Sequence, residues 1–245
     1  MIRSHLLRAL LVAPGLLLAL APATRATTLW TAGSSTSTFK GIEKQDNNNN
    51  YGSTNGSTVT HLTDATEGSV WKFHKDDLDR RCEAKGAAGV TINQGSTYYI
   101  GWRFKLSSTT NNNSIFQWKS YGSPMVQNYP VVIKMINGQL NFEHYSEGQV
   151  KHTLWAHTIS ANVWYSIVVR VTVSNSASGG TLQFFFGNDT PPETLLTGGT
   201  SYTCKTFDGS SIEPKWGYYG ETNTNEDVSF SHLKIGTTYN DVKPF

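Results

Sequence analysis

The chain has 245 residues, two cysteines, and 20 Lys+Arg against 18 Asp+Glu. Apolar residues make up 38% of it and charged residues only 16%, where an ordinary soluble domain carries about 25% charged residues. This palette excludes a coiled coil, a highly charged disordered chain and a disulfide-dense miniprotein, and it suits a secreted, turn-rich β protein.

Residues 1–26 read as a secretion signal. Arg3 and Arg8 give a positive start, residues 10–20 an apolar stretch, and Thr24-Arg25-Ala26 a small-residue exit. The apolar stretch is too short to span a bilayer, and Pro14-Gly15 interrupts it. Cleavage after Ala26 leaves one domain at 27–245, with 17 cations against 18 acids once the three leader arginines are gone. Net charge therefore gives no support for a nucleic-acid partner. No other apolar run is long enough to cross a membrane. The leader makes an extracellular location the expectation, and a monomer is expected. Secretion permits a Cys82–Cys204 disulfide, which is the expected state; the other reading is two separate buried thiols. Asn55, Asn112 and Asn188 begin glycosylation sequons, the last followed by Pro191.

Along the domain, loops are expected at 47–50, 107–114 and 174–180, where Asn, Ser, Thr and Gly cluster. Residues 75–80 read as a turn. Strands are expected at 97–106, where Tyr98, Ile100, Trp102 and Phe104 alternate with more polar positions. The same period marks 139–145, 163–173, 181–186 and 228–235. Trp102 and Trp118 fall on core faces by this alternation. Helix signals are almost absent. Many antiparallel strands in one domain of this length predict an all-β sandwich of jelly-roll type, whose concave sheet forms a groove for a linear polymer.

Three segments give one whole strand face to polar groups. In Arg81-Cys82-Glu83-Ala84-Lys85, alternation puts Arg81, Glu83 and Lys85 together. In Ile115-Phe116-Gln117-Trp118-Lys119, Gln117 and Lys119 share a face. In Lys215-Trp216-Gly217-Tyr218-Tyr219-Gly220-Glu221, Lys215, Tyr219 and Glu221 do. Each could be a solvated outer face. Together they supply cations, an amide and a phenol, a set suited to an anionic sugar chain.

In this order, R-x-E-x-K, a strand with a central Gln and K-x-G-x-Y resemble the three-strand signature of jelly-roll polysaccharide lyases. The chain most resembles the fungal glucuronan lyases of polysaccharide lyase family 20, with kinship to the family 7 alginate lyases and heparin lyase I, over residues 70–235. The resemblance implies that Arg81 and Gln117 neutralise the uronate carboxylate and that Tyr219 is the catalytic tyrosine. Lys85, Lys119, Lys215 and Glu83 would line the groove, and His144 is the rival base to test. His74, His152 and His157 read as structural or solvated.

Lys119 stands where the alginate pattern Q-I-H has histidine, and Glu221 stands in place of a final Gln. In 4-linked glucuronate or mannuronate, H5 and O4 lie on one side of the ring, so a single tyrosine can serve both. Guluronate and iduronate place them on opposite sides and call for a second group. Loss of the histidine therefore favours syn elimination on glucuronan or a mannuronan-like chain. A tyrosine base needs a cation nearby, since a free phenol titrates near 10. Lys215 on the same face is the expected one.

The resemblance also implies a structural calcium, with Asp208 near the position of a family ligand and Asp227 a second candidate. Either acid can equally be a turn former. Two other functions stay open: a non-catalytic carbohydrate-binding module or lectin, and a glycoside hydrolase using Glu83 and Glu221.

Overall fold

The computed structural model describes residues 27–52, 55–188, 194–195 and 201–244, so the leader read at 1–26 lies outside the described residues. In chain order the strands are β1 (Thr28–Thr31), β2 (Phe39–Asp46), β3 (Thr58–Asp64), β4 (Gly68–Lys75), β5 (Asp79–Ala87), β6 (Thr97–Leu106), β7 (Ser114–Tyr121) and β8 (Val131–Ile136). There follow β9 (Gln139–Tyr145), β10 (Lys151–Thr158), β11 (Tyr165–Thr172), β12 (Thr181–Asn188), β13 (Thr194–Leu195), β14 (Tyr202–Thr203), β15 (Ser211–Tyr219) and β16 (Glu226–Gly236). One turn of helix, α1 (Tyr239–Val242), closes the order. The turn expected at 75–80 is shorter: residues 76–78 join β4 to β5, and Lys75, Asp79 and Arg80 belong to the strands.

Two antiparallel sheets result. Sheet A runs β13-β12-β11-β6-β16-β4-β3, with β1 beside β16 and β14 beside β12. Sheet B runs β10-β9-β8-β7-β15-β5-β2. Strands β8, β9 and β10 form a meander, but β7 pairs with β15 and β15 with β5. Those crossovers make a jelly-roll sandwich. They also set three segments that are far apart in sequence side by side.

The sheets are held by aromatic pairs that bridge the gap between them. Trp30 stacks on Trp216 at 5.5 Å, Trp102 on Phe116 at 4.8 Å, and Phe142 on Phe184 at 4.4 Å. Each such pair adds about 0.5–1.5 kcal/mol beyond the burial of its area. Trp102 and Trp118 are both in the core, as alternation requires. The Trp118 indole N–H donates to the Thr206 carbonyl at 2.9 Å, so its polar atom is satisfied in the interior.

The expected disulfide is absent: Cys82 and Cys204 are separate buried thiols. Cys82 lies on β5, in the half of the sandwich where Phe39 of sheet B meets Phe73 of sheet A. Cys204 follows β14, beside β12, in the half where Phe142 meets Phe184. Cα atoms must come within about 7 Å to be bridged, and residues at opposite ends of the sandwich do not. Among the described residues no helix is long and apolar enough to cross a membrane.

Candidate active site

Strands β5, β15 and β7 lie side by side in sheet B, and their registers bring the three motifs together. Lys215 is opposite Lys85 on one side and Gln117 on the other. Tyr219 is opposite Arg81 and Ser114. Cys82, Ala84, Phe116, Trp118, Trp216 and Tyr218 point into the core, which turns Arg81, Glu83, Lys85, Gln117, Lys119, Lys215 and Tyr219 to the outer face. Gly217 is opposite Glu83. A Cβ there would sit 2.2 Å from the Cys82 carbonyl oxygen, and its φ of +130° suits glycine alone.

This face is polar but largely closed to water. Lys215 and Glu83 are fully buried, and Arg81 and Gln117 nearly so. The Lys215 ammonium lies 2.5 Å from Glu83 and 2.9 Å from Glu43 of β2. Arg81 lies 3.0 Å from Glu43 and 3.5 Å from Glu83. Glu83 also accepts from the Gln117 amide at 2.6 Å. An ionised carboxylate only accepts, so Glu83 fixes which end of the Gln117 amide carries nitrogen, and one N–H of that NH₂ remains for a ligand. Burial pushes the Glu43 carboxyl up, but Lys215, Arg81 and Lys85 push it further down, and the net position is below the usual range.

Phenols cover the cations. The Arg81 guanidinium lies 4.2 Å from the centre of the Tyr219 ring and 5.5 Å from that of Tyr51. Lys85 lies 4.0 Å and Lys119 5.1 Å from the Tyr121 ring. Lys119 also donates to the side-chain oxygen of Asn128. Burial, with the Lys215 and Arg81 cations next, lowers Lys119 to about 8. Burial and the Glu43 and Glu83 charges push the Tyr121 hydroxyl well up.

Beside Tyr219 opens a pocket of about 100 Å³, lined by Ser114, Gln117, Tyr129, Val132, Lys134, Tyr145, Tyr219 and Gly220. Burial raises both Tyr129 and Tyr145, and the Tyr145 hydroxyl donates to Glu143 at 2.8 Å. These two phenols are poor bases. Tyr219 lines this pocket, and its hydroxyl has no hydrogen-bond partner among the described residues. Tyr129, Tyr145, Lys134 and Glu43 escaped sequence reading. Alternation from the core residue Phe142 would have found Tyr145, because it places Glu143 and Tyr145 on the groove side.

The same alternation corrects His144. It lies on the core side of β9, bonded through Nε2 to the Lys205 carbonyl at 3.1 Å, and it is not in the groove. Burial lowers it, so it stays a neutral packing group. Lys215 is not the cation against Tyr219; that cation is Arg81, and Lys215 is spent on two carboxylates. Glu83 and Lys215 are buried counter-ions that position Arg81 and Gln117, without exposed surface of their own for substrate. Glu221 lies past the end of β15 and takes the Asn112 N–H at 2.8 Å, tying down the 107–113 loop. Neither Glu83 nor Glu221 is placed as a hydrolase carboxylate.

The residues around Asp208 do not fit a calcium ion. One carboxylate oxygen accepts the Val126 and Gln127 N–H groups at 2.6 and 2.8 Å, and the other meets the Lys205 ammonium at 2.9 Å. Asp208 is a loop clasp, with a cation already seated where a metal would have to be. Asp227 is likewise taken, by Lys72 and His74 at 2.8 Å each. Among the described residues no three His, Cys, Asp or Glu side chains gather as metal ligands.

A family model described as polysaccharide lyase matches residues 34–232. The chain belongs to that family. Solved lyase structures share its fold. An endo-β-1,4-glucuronan lyase from the fungus Trichoderma reesei superposes with a TM-score of 0.57 at 16% identity, over 84% of this chain and 99% of that one. The family 7 alginate lyase A1-II′, in a product complex, gives 0.57 at 14% identity, over 84% and 100%. A marine family 14 alginate lyase from Aplysia kurodai gives 0.56 at 11% identity, over 87% and 100%. No curated protein matches this lyase in sequence.

Proposed function

We propose that this polysaccharide lyase cleaves a β-1,4-linked polyglucuronate by syn elimination, leaving an unsaturated uronic acid at the new end. One observation carries the reading: Tyr219, whose hydroxyl has no partner among the described residues, lines the same pocket as Gln117 while its ring lies on the Arg81 guanidinium. The glucuronan lyase of Trichoderma reesei among its structural neighbours supports the choice of substrate. So does Lys119, which stands in place of a histidine that anti elimination would use.

The uronate carboxylate is held by the second N–H of Gln117 and the charge of Arg81. These spread the negative charge that builds when H5 leaves. The Tyr219 oxygen takes H5, and the electron pair moves from C5 toward the carboxyl group. It then forms the C4–C5 double bond as the C4–O4 bond breaks. The same tyrosine returns its proton to O4. The guanidinium against its ring favours the negative charge that the oxygen carries at each handover. Secretion through the leader at 1–26 places the enzyme where such polymers are met.

Ultraviolet absorbance of the unsaturated product tests the reading, with polyglucuronate, mannuronan-rich alginate and heparin as parallel substrates. Glucuronan is expected to react fastest. Tyr219→Phe should lose about 100- to 10,000-fold in turnover while still binding. Absence of product from all three polymers would remove the proposal, and binding without product would make the domain a lectin.

A further inference from the structure

The outer face of sheet A, opposite the groove, carries a second hollow. Its volume is about 280 Å³, against about 100 Å³ beside Tyr219, and its walls include Leu62, Lys72, Lys105, Asn162, Trp164 and Asp227. Strand alternation builds it. Phe104 and Leu106 of β6 point into the core, which sends Lys105 outward. Lys105 is paired with Ser229 of β16, and Ser229 with Lys72 of β4, so a Lys-Ser-Lys row crosses three strands. The small serine leaves the middle of the row open. Trp164 immediately precedes β11, and because Tyr165 is paired with Phe104, Trp164 falls beside Lys105. The Lys105 ammonium lies 4.9 Å from the centre of the half-buried Trp164 ring.

The charges around the hollow are mostly taken. Lys72 and His74 both hold Asp227. One oxygen of Asp64 accepts the Thr66 and Glu67 N–H groups at 2.8 and 3.0 Å, and its carboxylate acts on Lys105 only at longer range. Arg103, whose guanidinium lies 5.8 Å from the Trp164 ring, is bonded to Glu67. Lys105 has no hydrogen bond or ion pair among the described residues. What remains on offer is a half-buried aromatic ring with an ammonium over it that makes no ion pair among the described residues.

A flat ring packs on the apolar face of a sugar, and an ammonium pairs with a carboxylate. We propose that this hollow is a second binding site for an acidic sugar chain, with Trp164 stacking on one ring and Lys105 taking its carboxylate. The choice of an acidic chain rests on the polyuronate reading of the groove. The two sites lie on opposite sides of the sandwich, so a short oligosaccharide occupies one or the other. A long polymer or a gel can engage both, which raises retention through effective concentration without any change in chemistry.

Affinity electrophoresis of the full chain tests this, in gels containing polyglucuronate or a neutral β-1,4-glucan. The Tyr219→Phe background keeps the gel undigested. Trp164→Ala and Lys105→Gln are each expected to weaken retardation in the polyglucuronate gel by about threefold or more. In the otherwise wild-type enzyme the same substitutions should leave turnover of a soluble uronate tetramer unchanged. Trp164→Phe, which keeps a stacking ring, should recover much of the retardation, and equal melting temperatures would show that every variant is folded. Unchanged retardation in both variants overturns the proposal. So does a parent that the uronan gel does not retard, or a Trp164 effect confined to the neutral glucan. If the wild type cleaves no uronan and yet Trp164→Ala loses its retardation in polyglucuronate, the lyase substrate is misread and the second site stands.

Discussion

Replacing Lys215 by methionine keeps the length and the apolar stem of the side chain and removes only the charge. That ammonium is fully buried, 2.5 Å from Glu83 and 2.9 Å from Glu43. Removing one member of a buried ion pair costs about 3–5 kcal/mol, because the partner is left charged without compensation. Arg81 still meets both carboxylates, at 3.0 and 3.5 Å, which argues for the lower half of that range. In a domain of this size about 1 kcal/mol moves the melting temperature by roughly 2–4 °C, so a fall of about 6–15 °C at neutral pH is expected. The pH dependence has a definite sign. In the native protein Glu43 titrates below its usual value. Its stabilising share is therefore present above the ordinary carboxylate range and is lost as the pH falls through its lower folded value. Without Lys215, burial acts on that carboxyl with its nearest opposing cation gone. Protonation then relieves the variant while it weakens the wild type. Melting curves followed by circular dichroism from about pH 4 to pH 8 should show the widest gap at neutrality, narrowing toward acid. Adding Glu83→Gln to Lys215→Met should restore part of the loss, since it removes one of the stranded charges. A Lys215→Met protein that melts within about 2 °C of wild type at pH 7, or a gap that widens toward acid, would refute the reasoning.

Lys119, lowered to about 8 by burial and then by the Lys215 and Arg81 cations, must be charged to favour an anionic chain. Above about pH 8 binding has to take up a proton, so KM should rise with pH there, while Lys119→Arg stays flat; the same inflection in the variant would clear Lys119 of the effect. Burial raises both thiols to about 12, so native protein should resist alkylation, both cysteines should react once unfolded, and a reductant should leave the melting temperature unchanged. An intact mass two hydrogens short of the reduced form would contradict that.

Strand period two is why so much of the groove could be read from the sequence. Once Phe116, Trp118, Trp216 and Tyr218 are recognised as core, Gln117, Lys215 and Tyr219 have only the other face to occupy. Which strands become neighbours is a matter of topology, and only the order of the three motifs carries it. At two places residue chemistry points one way and strand geometry another. An imidazole invites a reading of His144 as a base, yet Phe142 two residues earlier assigns it to the interior. Secretion permits a disulfide, but the jelly-roll connections send Cys82 and Cys204 to opposite ends of the sandwich. Glu43 was invisible for another reason. Residues 39–46 mix apolar and charged side chains without clean alternation, and only the pairing of β2 with β5 brings this acid to Arg81 and Lys215. Nor does spacing along one strand show that Lys215 spends its charge sideways on Glu43 and Glu83.

The backbone N–H of Thr27 reaches the Asp241 carboxylate and the Thr237 hydroxyl at 3.1 Å each, where β1 lies against β16. The first and last parts of the described fold thus meet at one seam, on the sheet that does not carry the groove. A short linker could join them there and new ends be cut at an exposed turn such as 47–50, giving a circularly permuted enzyme. A fusion partner joined at this seam would sit away from the sheet that bears the groove.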